Sequence, residues 1–291
     1  AAFAAAAAVG AQCSTFADLL ATGVDFVVVA GPAATRRARV EAAAQQAVPC
    51  LLPAPFAPDL ATATAMATAC ERAQARLGVL VPALHDPLYD QLRRMVAQDW
   101  LGGLTFVQST LGDDERLRGQ GLGRGHPFVE LASQHVHLTS WLCGRSVLRV
   151  TAQQARALAA DDDSAAATAL LRGGLLATFV ATRVARATGY ALHGTDGGMR
   201  IAGDRLWLIG RQAFHGSVFA YDTPGHEQVL SRTELAPAIA ACAPAHEPLG
   251  QFARWLEETD DFPCPAEQAI EDLRVVDALL RAAASGRTES V

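Results

Sequence analysis

A helix predicted over Phe128–Cys143 carries the side chains best suited to proton transfer. Its residues Glu130, Gln134 and His137 are spaced i, i+4 and i+7, so they lie on one face of the helix. A carboxylate and an imidazole in one cleft can share acid/base work, because the pKa of histidine lies near neutrality. Gln134 can only donate or accept a hydrogen bond. The spacing therefore predicts an acid/base pair of Glu130 and His137, with Gln134 between them.

Alternatives remain open for each of these residues. His137 either reaches a substrate or caps and packs within its own helix, and Glu130 either lines a pocket or pairs with an arginine. His135 points about 100° away from Gln134. Residues at i and i+2 do not face each other on a helix, so His135 and His137 predict no metal site.

A ligand would have to be held against this helix by neighbouring elements, and two predicted strand ends are the candidates. The apolar run Asp25–Ala30 ends at Gly31-Pro32, and Pro49–Leu52 is followed by Pro53-Ala54-Pro55. Ligands of open parallel sheets bind outside the carboxyl ends of the strands. Neither tip offers a side chain that can move a proton, so any proton chemistry has to come from another element.

Composition limits the classes of protein that the chain can represent. It has 291 residues, 51% hydrophobic and 19% charged, with a net charge of −6. A sizeable core is expected, and an acidic chain does not favour a nucleic-acid partner. All 24 basic residues are arginine, so no lysine amine is available for catalysis. Six cysteines without C-x-x-C spacing predict reduced thiols of a cytoplasmic protein, and no apolar stretch predicts a membrane span.

Strands and helices alternate over the first 100 residues. Ala1–Ala8 favours a helix, Asp25–Ala30 a strand buried on both faces, and Pro49–Leu52 a second strand. A helix is expected over Pro58–Leu77, a strand over Gly78–Val81, and a helix from Asp86 to about Gln98. This rhythm predicts parallel βαβ units of the doubly wound kind over residues 1–100.

The pattern changes after Gly102-Gly103. A strand is expected over Leu104–Thr110, a polar loop over 111–126, and short strands with tight turns from Val147 to about Leu230. Two helices are expected near 246–258 and 266–284. Residues 101–291 are therefore predicted to form an α+β domain with a mostly antiparallel open sheet, whose apolar face favours a homo-oligomer.

Five segments resemble the Gfo/Idh/MocA oxidoreductases, the relatives of glucose–fructose oxidoreductase and inositol dehydrogenase. In chain order they are "VDFVVVAGPAATRRARVEAAAQQAVPCLLPAPFA", "HDPLYDQLRRMVAQDWLGGLTFVQS", "FVELASQHVHLTSWLCG", "LHGTDGGMRI" and "LRAAASGRTESV". The resemblance implies a Rossmann domain that binds NAD or NADP, and hydride transfer at a carbon of a sugar, a cyclitol or a related polyol. It also implies that Gly31, Pro32, Ala54 and Pro55 contact the cofactor.

The chain departs from the family pattern in two ways. The phosphate-binding first βαβ unit, about 35 residues, is not matched, so a fragment is expected in preference to a natural deletion. The family's Glu-Lys-Pro strand tip is Pro53-Ala54-Pro55, and its paired acid and histidine fall on Glu130 and Gln134. The family's later acid falls on His137. These exchanges leave open a catalytically inactive relative that serves as a binding or subunit-partner module.

Several other residues have competing interpretations. Arg36 stands where relatives often keep a histidine near the cofactor, but a solvated arginine on the helix is at least as well supported. Trp141 is expected in the core and Asp161-Asp162-Asp163 in a solvated turn. His126 is expected to be exposed, and Pro55 to shape the backbone.

Overall fold

The computed structural model describes residues 13–114, 126–158, 163–215, 218–242 and 247–291. The helix expected over Ala1–Ala8 and most of the loop expected over 111–126 lie outside these residues. The described chain contains one sheet of three strands and one of nine. None of the helices in this part of the chain combines the length and the apolar character that a membrane crossing requires.

The smaller sheet is parallel and is built from β1 (Val27–Val28), β2 (Cys50–Pro53) and β3 (Leu77–Leu80). Its order is β1–β2–β3, with every pair parallel. The helices of this region are α1 (Phe16–Ala21), α2 (Arg37–Ala44) and α3 (Leu60–Arg72). The predicted alternation of strands and helices, and with it the α/β class, is confirmed.

Two elements are shorter than the sequence predicted. The strand expected over Asp25–Ala30 contracts to β1, and Val28 is 46% exposed, so the expectation that this strand is buried on both faces is wrong. The helix expected over Pro58–Leu77 begins after Asp59, whose side chain accepts the N–H of Thr62 at 2.7 Å. It ends at Arg72, since Gln74 adopts a left-handed φ of 54° that a helix cannot continue.

The larger sheet is mostly antiparallel, as predicted for the second part of the chain. Its order is β11–β10–β9–β8–β4–β7–β6–β5–β12, and every neighbouring pair is antiparallel except β4 and β7. The strands are β4 (Leu104–Gly112), β5 (Val147–Ala155), β6 (Ser164–Leu171), β7 (Leu176–Thr182), β8 (Ala187–Gly194), β9 (Gly197–Ala202), β10 (Arg205–His215), β11 (Val218–Ser231) and β12 (Glu289–Ser290).

Helices cover one face of this sheet. They include α4 (Pro87–Ala97), α5 (Ser133–Cys143) and the C-terminal helix α8 (Ala266–Ser285). A π-helical turn, Phe128–Ala132, leads directly into α5, and Gly144 with a φ of 60° ends it as expected. The opposite face carries exposed apolar side chains, among them Leu176, Val180, Ile209 and Val229.

The C-terminal part of the chain returns to the parallel sheet. It contains α6 (Arg232–Cys242), which the sequence analysis missed, and α7 (Pro248–Leu256). Phe252 and Phe262 pack on Leu51 of β2, and the N–H of Val79 donates to the carbonyl of Cys264 at 2.9 Å. Residues of the second predicted domain thus complete the packing of the first, and the division at residue 100 stays an expectation.

Candidate active site

The carboxyl-terminal tips of β1 and β2 lie next to each other, as the parallel pairing requires. Gly31 follows β1 with a φ of 100°, a left-handed value that favours glycine. Ala54 and Pro55 follow β2 and are joined by a cis peptide bond. A Cβ placed on Gly31 would meet only the far end of the Arg39 side chain within 4 Å, so the backbone of this tip is open to an approaching group.

Arg36 joins the two tips. Its Nε donates to the carbonyl of Gly31 at 2.8 Å, and its Nη1 donates to the carbonyls of Pro53 at 2.5 Å and Pro55 at 2.7 Å. The side chain is buried, with 4% of the residue exposed, so the interpretation as a solvated arginine is wrong. Burial lowers the pKa of Arg36, while the carboxylate of Glu130 raises it. The guanidinium is therefore an interior cation shared by two strand tips and an acid.

Glu130 and Gln134 come from the helix that begins at the π-helical turn, and both are half-buried. Gln134 lines a cavity of about 420 Å³ between this helix and the end of the large sheet. The cavity also exposes an acid, a cation and a hydroxyl, from Asp113, Arg186 and Thr188. Such a mixed polar lining suits a small ligand that carries several hydroxyl groups.

The imidazole ring of His137 is buried in the interior of the protein. It is 2% exposed, and its Nδ1 donates to Oδ2 of Asp272 on α8 at 2.6 Å. Asp272 also accepts from Ser140 at 2.7 Å, and the thiol of Cys264 lies 3.7 Å from the same ring nitrogen. Burial by itself lowers the pKa of His137, but Cys264 and the Asp272 carboxylate outweigh it and raise the pKa to about 10. The ring is thus paired with Asp272, not with Glu130.

His135 turns to a different set of partners. Its Nδ1 is hydrogen-bonded to the hydroxyl of Ser109, and its ring meets the Tyr190 ring edge-on at 5.7 Å between centroids. Burial lowers the pKa of His135 to about 4, so the ring is neutral. The two histidines of the H-x-H stretch do not converge on a common point, which agrees with the spacing argument.

The remaining candidates are placed as follows. His126 is half-buried, not exposed, and its Nε2 lies 2.8 Å from Oε1 of Gln154. Trp141 packs against the core but is only partly buried, with the Arg93 guanidinium 4.6 Å from its ring centroid. Asp163 is 0% exposed, which corrects the expectation of a solvated turn at that residue, while Asp161 and Asp162 lie outside the described residues.

Sequence reasoning missed the partners that tertiary packing supplies. Asp113, Arg186 and Asp272 are distant in sequence from the helix that they meet, and no local pattern marks them. Arg36 carried a weak signal, since it lies five residues after the glycine of the β1 tip. The described residues around both tips fit one side of a nicotinamide-dinucleotide crevice, because the backbone at Gly31 is open and faces no bulky group.

A known family model matches part of the chain. Residues 89–200 match the model described as the GFO/IDH/MocA C-terminal domain. No curated protein sequence matches the chain.

Solved structures share the fold at low sequence identity. WlbA dehydrogenase from Bordetella pertussis, in complex with NADH and UDP-GlcNAcA, is 20% identical, with a TM-score of 0.78 over 99% of this chain and 86% of that one. UDP-N-acetylglucosamine 3-dehydrogenase GnnA from Acidithiobacillus ferrooxidans is 21% identical, with a TM-score of 0.77 over 97% and 85% of the two chains. A putative myo-inositol dehydrogenase from Sinorhizobium meliloti 1021 is 19% identical, with a TM-score of 0.75 over 98% and 87%. Residues 89–200 thus match a GFO/IDH/MocA C-terminal domain, and the chain as a whole shares the fold of these solved dehydrogenase structures.

Proposed function

We propose that the protein is a NAD(P)-dependent oxidoreductase that transfers hydride to or from a carbon of a sugar, a cyclitol or a related polyol. One observation carries this proposal. Arg36 bonds the tips of β1 and β2 and interacts with Glu130, whose helix also presents Gln134 to the polar cavity. The strand tips suited to a nicotinamide and the helix that lines the cavity suited to a polyol therefore meet where Arg36 interacts with Glu130.

The cofactor supplies the hydride acceptor or donor when it is bound, and the protein supplies positioning and proton transfer. The backbone of Gly31 and Pro32 and that of Ala54 and Pro55 would hold the nicotinamide half of the cofactor. Structures of relatives bound to NADH or NAD⁺ support this choice of cofactor without separating NAD from NADP.

Oxidation of a carbinol requires removal of its hydroxyl proton together with the hydride. In this site Glu130 is the group that accepts the proton, because Ala54 has no titratable atom and Gln134 is an amide. Gln134 orients the reacting hydroxyl by a hydrogen bond. Asp113, Arg186 and Thr188 bind the other polar groups of the substrate. His137 acts indirectly, since its bond to Asp272 fixes the helix that carries Glu130.

Fluorescence titration of the full-length protein with NADH and with NADPH tests the proposal. Binding of either nucleotide, with turnover on at least one member of a polyol and sugar panel, is expected. Binding of neither nucleotide would refute it.

A catalytically inactive relative that serves as a binding or subunit-partner module is the second candidate. Ala54 and Gln134 favour it, because neither side chain can carry a proton. Turnover by the unmodified protein would eliminate this candidate. A double variant, Ala54→Lys with Gln134→His, that gains no activity on the same panel would support it.

The open face of the nine-stranded sheet is proposed as a homo-oligomer interface. Leu176, Val180, Ile209 and Val229 are large, exposed and apolar, and they lie on one continuous face of the sheet. A second copy of the same chain offers an equal face, which a two-fold arrangement would pair with this one.

A further inference from the structure

Arg36 holds an unusual place for a charged side chain. It donates three hydrogen bonds to backbone carbonyls, one beyond β1 and two at the end of β2. Gly31, Pro53 and Pro55 therefore share one rigid donor. The planar guanidinium presents several N–H groups in a fixed geometry, so it fixes the spacing between the tips.

The position is electrostatically costly. Burial removes the guanidinium from water, and Arg36 is the N-cap of α2, where the helix dipole disfavours a positive charge. Its side chain makes no capping hydrogen bond to the helix. A neutral side-chain amide has two N–H donors and could not make all three hydrogen bonds to carbonyls, so the bridging itself accounts for a guanidinium at this place.

The acid of the site interacts with this charge. The carboxylate of Glu130 raises the pKa of Arg36 against the effect of burial, and Glu130 comes from the helix layer of the larger sheet. The contacts that hold the strand tips are the three hydrogen bonds from Arg36 to backbone carbonyls.

We propose that Arg36 is a positioning residue of the site: its hydrogen bonds to Gly31, Pro53 and Pro55 set the spacing between the cofactor-facing tips of β1 and β2. This assignment rests on the proposed function, since the tips are those that would face the cofactor. It assigns to Arg36 no contact with the substrate.

The first experiment measures NADH affinity of the full-length protein and its variants. Arg36→Gln is expected to weaken NADH binding about tenfold, because the loss of charge-assisted hydrogen bonds frees the tips. Arg36→Lys is expected to fall between wild type and Arg36→Gln, since it keeps the charge but not the planar fork. The matched control is Arg37→Gln, because Arg37 is the next residue and is exposed, with its ion pair to Glu41 on the surface. NADH affinity of Arg36→Gln within twofold of wild type would overturn the tip-spacing role.

The second experiment needs no cofactor. It compares the thermal unfolding midpoints of wild type, Arg36→Gln, Arg36→Lys and the exposed control Arg37→Gln. Arg36→Gln is expected to lower the midpoint because the hydrogen bonds to the three backbone carbonyls are lost, Arg36→Lys is expected to lower it less, and Arg37→Gln is expected to leave it nearly unchanged. Equal midpoints of Arg36→Gln and Arg37→Gln would overturn the bridging of the tips.

The two experiments separate the failure modes. If the wild-type protein binds no nicotinamide nucleotide, the proposed function fails and with it the tip-spacing role. The unfolding midpoints then decide by themselves whether Arg36 holds the two tips together.

Discussion

His137 and Asp272 form a hydrogen-bonded pair between α5 and α8, with 2.6 Å between Nδ1 and Oδ2. Both side chains are almost fully buried, and Ser140 and Gln268 donate further hydrogen bonds to the same carboxylate, at 2.7 Å and 3.2 Å. The pair attaches the C-terminal helix to the helix that carries Glu130. His137, whose position in the sequence suggested acid/base catalysis, therefore stabilises the packing of α5 against α8.

Removing one partner of this pair should be strongly destabilising. His137→Gln leaves the Asp272 carboxylate buried without its cationic partner, which typically costs about 3–5 kcal/mol of unfolding free energy. Urea unfolding followed by circular dichroism measures this loss. The control is Glu271→Gln, which breaks the exposed pair with Arg274 and should change stability by less than about 1 kcal/mol. Equal, small effects of the two variants would contradict the buried-pair interpretation.

The stability of the protein should fall on both sides of about pH 6.5, through two different histidines. The pKa of His137 is raised from 6.5 to about 10 by folding, so its contribution is complete below pH 6.5 and is lost as the pH rises toward 10. The pKa of His135 is lowered from 6.5 to about 4, so its contribution is complete above pH 6.5 and is lost as the pH falls toward 4. In unfolding free energies measured from pH 4 to pH 10, the loss of stability at alkaline pH should be smaller for His137→Gln than for wild type. The loss of stability at acid pH should be smaller for His135→Gln than for wild type. An alkaline decline of His137→Gln that parallels wild type would show that other groups cause it.

Glu130→Gln should remove proton transfer while leaving the cofactor in place. The loss of a positioned acid/base typically lowers turnover by about 10²–10⁴-fold. Steady-state kinetics on the best polyol of the panel, together with NADH titration, measures the two effects separately. Glu41→Gln, on the exposed side of α2, is the matched control. Unchanged turnover of Glu130→Gln would remove Glu130 from the catalytic role.

Arg186→Gln should weaken substrate binding more than it slows turnover, because Arg186 lines the cavity without belonging to the proton-transfer pair. The KM is expected to rise about tenfold with little change in kcat, as for the loss of one charge-assisted hydrogen bond. Arg274→Gln, on the solvent side of α8, is the control. A selective fall in kcat would instead place Arg186 in the chemical step.

Val180→Glu and Val229→Glu should dissociate an oligomer formed through the open sheet face. A buried unpaired carboxylate at such an interface is unfavourable, whereas each variant exposes only a solvated charge in the monomer. Sedimentation velocity measures the change in molecular mass. Leu249→Glu is the control, since Leu249 is equally apolar and exposed but lies on α7. A monomeric wild-type protein would contradict the proposed interface.

Local patterns predicted most of the elements that build the site. The apolar run at Cys50–Leu52 became β2, and Asp59 and Asp86 cap the two helices whose starts they marked. Gly144 ended the helix of Glu130 as its αL cap. These features succeed because they depend on hydrogen bonds and torsion angles within a few residues, which the sequence specifies directly.

The sequence by itself determined the α/β class, the order of parallel then antiparallel strands, and the helical segment that bears Glu130, Gln134 and His137. Only the tertiary structure decided what that segment meets. It buried Arg36 between the strand tips, paired His137 with Asp272 and placed Asp113 and Arg186 beside Gln134. Contacts between residues more than a hundred positions apart, such as His137 and Asp272, depend on how sheets and helices pack, and no local periodicity encodes that packing.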